Sequence, residues 1–112
     1  MGMDKYTQEQ RTAILRDAIT AWGRDSQVDM MIEEMSELTK ALLKERRVPP
    51  FPVINLKEAI VNIREEMADV QIVLDQMKLI YGDPADIEAM KLERLAKMLG
   101  MEDAQAGEEI SQ

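Results

Sequence analysis

Ile60-Val61-Asn62-Ile63-Arg64-Glu65-Glu66-Met67-Ala68-Asp69-Val70-Gln71-Ile72-Val73-Leu74 is the stretch on which the fold turns. Its apolar residues do not alternate as in a strand; they return every three or four positions, the period of an α-helix. Ile60, Ile63, Met67, Val70 and Leu74, continued by Tyr81, make one stripe that predicts core contact. Glu66 and Asp69 flank it, with Asn62 and Val73 nearby, while Glu65 points away. Val61, Ala68, Ile72 and Leu79 form a second stripe well round from the first. One bundle core cannot bury both. The helix is therefore expected to lie between neighbours, one of them a second subunit.

Outward from this helix the chain reads as four helices. Thr7-x-x-Gln10 predicts a capping box opening the first, which runs to Trp22 and stops at Gly23. Asp25 or Ser26 is the expected cap of the second, which ends near Arg47 with Lys44, Arg46 and Arg47 favouring its C-terminal dipole. The proline-rich run 48–52 cannot be helical and is expected to be a stiff connector. Asn55-x-x-Glu58 is the expected cap of the third helix, which reaches Tyr81. Asp83 is the expected cap of the fourth, with Pro84 at its first position and Gly100 at its end. Residues 1–100 are expected to form a single all-α domain and 101–112 a polar, frayed tail.

Composition narrows the classes. At 112 residues the chain has room for one domain. Its 14 basic and 22 acidic residues leave a net charge of −8, which argues against a nucleic-acid partner. The absence of Cys excludes disulfides and thiolate chemistry. The absence of His removes the commonest general base, and with it zinc sites and Glu-x-x-His di-iron sites. The polar N-terminal residues lack the apolar core of a signal peptide, and no run approaches the ~18 apolar residues of a membrane span. The expectation is a soluble, cytoplasmic protein with no membrane partner.

Glu33-Glu34-Met35-Ser36-Glu37 repeats the acidic pattern of Glu65-Glu66-Met67-Ala68-Asp69. In each, carboxylates three residues apart share a helix face: Glu34 with Glu37, and Glu66 with Asp69. The second helix has its own stripe, Met31, Met35, Leu38 and Leu42, with Val28 and Ile32 at its edge and Glu34 and Glu37 beside it. Glu33 and Lys40 point towards water. Antiparallel packing would bring Glu34, Glu37, Glu66 and Asp69 together. A solvated face with i,i+4 pairs accounts for Glu9, Glu45, Glu58 and Glu93. It does not account for Glu34, whose i+3 and i+4 neighbours are Glu37 and Leu38, or for Glu66, which meets Asp69 and Val70. Four clustered anions repel unless a hard cation lies between them, and Mg²⁺ or Mn²⁺ takes oxygen ligands. The doubled motif therefore predicts a divalent-metal site between two helices.

Other features have two readings. The ten Met residues read as adaptable core filler. Trp22 is either a core or interface residue or a surface on which a base stacks. Lys91, Arg94 and Lys97, beside the apolar series Ile87, Met90, Leu92, Leu95 and Leu99, form either a solvated basic face or a phosphate-binding one.

In these motifs the chain resembles the all-α nucleoside triphosphate pyrophosphohydrolases of the MazG-like group. The resemblance covers residues 22–99. It comprises Trp22-Gly23, Gln27, Ile32-Glu33-Glu34-Met35-Ser36-Glu37-Leu38, Glu65-Glu66-Met67-Ala68-Asp69-Val70 and Lys91-Leu92-Glu93-Arg94-Leu95. Between Glu37 and Glu66 lie 28 residues, including the proline-rich connector. The resemblance implies a four-helix, bundle-like MazG-type fold assembled as a homodimer or homotetramer. It implies that Glu34, Glu37, Glu66 and Asp69 coordinate Mg²⁺, with Glu33 and Glu65 at the doubled-Glu positions. It also implies hydrolysis of the α–β phosphoanhydride of a (deoxy)nucleoside triphosphate, giving the monophosphate and pyrophosphate. Without His, the base is Glu33, Glu34, Glu37 or a metal-bound hydroxide. Lys91, Arg94 and Trp22 are the expected substrate-binding residues. Alternatives are a dUTP-type or phosphoribosyl-ATP-type pyrophosphohydrolase, or a non-catalytic helical interaction module. The phosphoribosyl-ATP type usually carries a His near its second motif, and the four intact carboxylates weigh against lost catalysis.

Overall fold

A computed structural model describes residues 5–47 and 56–101. Among them the chain is all-α, with helices α1 (Gln8–Trp22), α2 (Arg24–Arg47), α3 (Leu56–Tyr81) and α4 (Ala85–Met98) and no strand. None of these helices is long and apolar enough to cross a membrane. The connector 48–52, the Asn55 cap and the tail 102–112 lie outside the described residues.

Local chemistry sets the helix ends. Thr7 Oγ1 accepts the Gln10 N–H at 3.0 Å, and Gln10 Oε1 accepts the Thr7 N–H at 2.8 Å. Such a box satisfies two orphan donors, and its cap residue contributes about 1 kcal/mol. At the other end Gly23 has φ 91°, a conformation open to a residue without Cβ. α2 begins at the next residue, which corrects the expected cap: Asp25 and Ser26 lie inside the first turn. Gly23 alone makes the corner, and the Gln27 N–H already bonds its carbonyl at 3.2 Å.

The chain divides into two compact units, one through Gly82 with α1–α3 and one from Asp83 with α4. In the second unit, Asp83 Oδ1 accepts the Ala85 N–H at 2.9 Å, but Asp83 lies one residue before the N-cap, which is Pro84 and makes no side-chain cap bond, so the expected cap is corrected by one position. The helix itself starts at Ala85, one residue after Pro84. It closes in a Schellman motif, with Gly100 at φ 73° and the Met101 N–H bonded to the Ala96 carbonyl at 2.8 Å.

In the first unit α2 and α3 pack along each other and α1 packs on both. Facing residues run in opposite order: Gln27 and Met30 share a cleft with Val73 and Gln76, and Ala41 and Lys44 share a groove with Ala59 and Asn62. The pair is therefore antiparallel. The Arg24 guanidinium, stacked 5.0 Å from the centre of the Tyr81 ring, joins the start of α2 to the end of α3. Arg11 ties α1 to α3 through a 2.6 Å bond to Asp75, whose other oxygen accepts from Gln71 at 3.0 Å.

The seam between α2 and α3 differs from the predicted one. Ala59, Val73, Gln76 and Gln27 are buried, and Glu34 and Glu66 are half-buried on the same faces. Of the apolar stripes, Met31, Leu38, Ile63 and Val70 are half-buried, but Met35, Leu42, Ile60, Met67, Leu74 and Tyr81 are exposed. In the second α3 stripe Val61, Ala68 and Ile72 are exposed and Leu79 is half-buried. The acidic flank and only part of each apolar stripe meet the neighbouring helix. Periodicity says which residues share a face; it does not say which face finds a partner.

Candidate functional site

The antiparallel register sets Glu34 of α2 against Glu66 and Asp69 of α3. One carboxylate oxygen from each lies within 4.8 Å of the others. Among the described residues no Lys or Arg forms an ion pair with any of the three. The cost appears in the proton affinity of Glu34 and Glu66. Partial desolvation raises the Glu34 pKa above the ordinary carboxylate value, and the charges of Asp69, Glu33 and Glu37 raise it further. Desolvation also raises that of Glu66, followed by its side-chain hydrogen bond with Asp69 and the charges of Asp69, Glu34 and Glu37. Like charges held close at low solvation disfavour joint ionisation.

The remaining motif carboxylates differ. Glu37 stands one turn along from Glu34 and pairs with Lys40 at 3.9 Å, so it is a neighbour of the cluster rather than a fourth member. Glu33 is exposed. Glu65, expected to point away, lines a groove of about 180 Å³ with Glu37, Lys40, Lys44, Asn62 and Glu66. Lys40 and Lys44, which sequence reasoning did not select, thus set positive charge on one side of the carboxylates. Their signal was weak, because exposed Lys is ordinary on any helix.

On the other side lies a larger cleft of about 510 Å³, reaching Glu34 and Asp69 at its edge and lined by Ile14, Ala18, Trp22, Met30, Ile72 and Val73 among others. Trp22, although largely exposed, joins this wall. Three further polar residues line it: Gln27 and Gln76, both buried, and Asp17, which is exposed. Gln27 entered the sequence reading only as part of the resemblance, and Gln76 carried no pattern at all. Along the seam the order is largely apolar cleft, carboxylates, and a groove of mixed charge. Comparison with models of known families, with curated proteins and with solved structures finds no match. The remaining predicted residues, Lys91 and Arg94, are exposed on α4 in the second compact unit.

The carboxylates suit a hard divalent cation. Octahedral Mg²⁺ with ligands at about 2.1 Å places its oxygens about 3–4 Å apart. Oxygens already within 4.8 Å need only a small side-chain adjustment to close on one ion. Three anionic oxygen donors, with no nitrogen or sulfur among them, favour Mg²⁺ or Mn²⁺ over zinc or copper.

Proposed function

We propose that this protein is a Mg²⁺-dependent nucleotide pyrophosphohydrolase of the MazG-like kind, converting a (deoxy)nucleoside triphosphate to its monophosphate and pyrophosphate. The observation that carries the reading is the convergence of Glu34, Glu66 and Asp69 between a largely apolar cleft and a charged groove in which Lys40 and Lys44 stand among Glu37, Glu65 and Glu66. The cleft suits an apolar ring system, the carboxylates with a bound cation suit a reacting phosphate, and Lys40 and Lys44 are the groups in the groove that would meet further anionic groups.

Glu34, Glu66 and Asp69 would hold the cation, with Glu37 beside them. The bound ion would offset the negative charge of protein and substrate and stabilise the charge building on the leaving group. Trp22 and the cleft walls would hold the base and keep water from one side of the scissile bond. Water attacks the α-phosphorus, the bond to the α–β bridging oxygen breaks, and pyrophosphate departs. Glu34 or Glu37, half-buried at or beside the proposed ion, would take the proton in preference to Glu33, which is exposed. Lys40 and Lys44 would meet the departing charge.

The protein would act as a homodimer or homotetramer. Met35, Leu42, Ile60, Met67 and Leu74 are exposed on two adjacent helices, and a second copy is the simplest cover for them. A panel of nucleoside triphosphates incubated with the pure protein and Mg²⁺ tests the reaction. Pyrophosphate release from at least one is expected. Release of orthophosphate instead would refute the bond assignment, and no turnover would favour a non-catalytic helical module.

A further inference from the structure

None of the side chains of α4 is buried, and Leu92, Leu95 and Leu99 are 59%, 49% and 66% exposed. Outside the helix, its own compact unit offers only the flanking turns among the described residues, too little to cover them. At 14 residues α4 lies near the ~12–15 below which a lone helix is marginal in water, so packing must supply the rest of its stability. The sequence marks the side that packs. Ala85, Ala89, Leu92, Ala96 and Leu99 return at alternating steps of four and three, the seam spacing of paired helices, with Leu95 at the edge. Arg94 stands on the opposite side.

We propose that α4 is a self-association element, its seam over 85–99 pairing antiparallel with the same seam of a second copy of this chain. Charge selects this occupant and its direction. Asp86 and Glu88 lie in the first turn and Lys97 in the last, where it already stands 3.8 Å from Glu93. A parallel pair would set Glu88 against Glu93 of the second copy at both edges of the seam, like charges at the positions that fix helix orientation. In an antiparallel pair centred on Leu92, Asp86 comes level with Lys97 of the second copy, twice over by symmetry, and opposite charges attract. Ala85 then faces Leu99, small against large, and Leu92 meets its own equivalent. A seam this short is weak alone, and a further contact elsewhere in the chain would strengthen it through effective concentration. The proposal uses residues other than the open faces of α2 and α3, and it stands whether or not the protein is a hydrolase.

The chain has no Cys, so one introduced thiol reports on one position. Helix axes about 8–10 Å apart, with Cα atoms about 2.3 Å off each axis, bring facing Cα atoms within the ~7 Å that a disulfide can span. In the full chain under mild oxidation, Leu92→Cys is expected to form a linked dimer and Arg94→Cys, on the far side, is not. Ala85→Cys and Leu99→Cys should each stay unlinked alone, yet link to one another when refolded together. Leu92→Glu combined with Leu95→Glu should keep its helix content by circular dichroism while the dissociation constant of the assembly, by sedimentation, rises at least about tenfold. No linking by Leu92→Cys, or equal linking by Arg94→Cys, overturns the proposal. Self-linking by Ala85→Cys means a parallel pair and overturns it too. An unchanged dissociation constant in the double variant would show that the leucines pack within their own chain, and a wild type that stays monomeric ends the proposal outright.

Discussion

At Glu66 a single negative charge does two opposed things. It repels Asp69, Glu34 and Glu37 in the metal-free protein, and it is the charge that a cation would bind. Glu66→Gln is therefore expected to leave folding intact or raise the metal-free melting temperature, while turnover falls by at least about 100-fold. Saturating Mg²⁺, at about 100 times its Kd, should stabilise the wild type by roughly 3 kcal/mol and the variant much less. Glu65→Gln, in the same helix turn but outside the converging trio, serves as control. Thermal unfolding of the three proteins with and without Mg²⁺ decides: equal metal-induced shifts in wild type and Glu66→Gln would mean the ligand assignment is wrong. The same carboxylates set a pH dependence. The Glu34 and Glu66 pKa values are raised on folding, so the folded chain holds more protons than the unfolded one. Their contribution to stability is complete below the ordinary carboxylate pKa and is lost as pH rises through the raised folded values. Metal-free protein should thus lose stability through these two groups as pH rises above the ordinary carboxylate range, and a Glu34→Gln, Glu66→Gln double variant should lack that component. A double variant with the wild-type pH profile would show that the charges at the seam are not coupled to folding.

Among the elements, α1 depends on a small polar hub. Asp75 accepts from Arg11 and Gln71 and lies 3.6 Å from Lys78, all beside half-buried helix surface. Asp75→Ala should cost about 1–3 kcal/mol in urea unfolding, the range for hydrogen bonds to a charged group. Arg11→Met should cost less, because its aliphatic packing survives. A loss from Asp75→Ala below about 0.5 kcal/mol would show that α1 is held by apolar contacts such as Leu15 instead. Much of this architecture is legible in the sequence. Thr7 with Gln10, Gly23, and Gly82 ahead of Asp83 mark helix ends because their chemistry is local. Glu34, Glu66 and Asp69 are legible because the i,i+3 spacing defines a shared face before any partner is known. What the sequence hides is which face meets the neighbour. Apolar spacing in α3 favours Ile60, Met67 and Leu74, yet the helix turns Ala59, Glu66, Val73 and Gln76 to α2. That choice depends on the register between two elements, and no periodicity within one of them records it. Gln76 is hidden for the same reason: a Gln among charged and apolar residues has no signature until its surroundings are assembled.

For the whole molecule the decisive quantity is how few large side chains are covered. The buried hydrophobic residues among those described are Leu15, Ala59 and Val73, while Ile60, Met67 and Leu74 remain open. A single chain of this size ordinarily needs a larger apolar interior to offset its lost conformational entropy. Sedimentation equilibrium at micromolar concentration is expected to return a dimer or tetramer, with a melting temperature that rises with protein concentration. Met67→Glu distinguishes the cases sharply. On an isolated chain it is a surface change within about ±0.5 kcal/mol. At a subunit contact it places an unpaired charge in a dry interface and should dissociate or unfold the protein. A well-folded wild-type monomer, unaffected by Met67→Glu, would end the assembly argument. The open faces of α2 and α3 also bear on the protein's life in a cell. If a second copy covers these faces, a nascent chain that has not yet met one would display the surface by which chaperones and proteases recognise incomplete proteins, and synthesis rate and survival would become linked. Scarce copies would be cleared and abundant ones would persist, giving an expression threshold that involves no regulator other than the helices themselves.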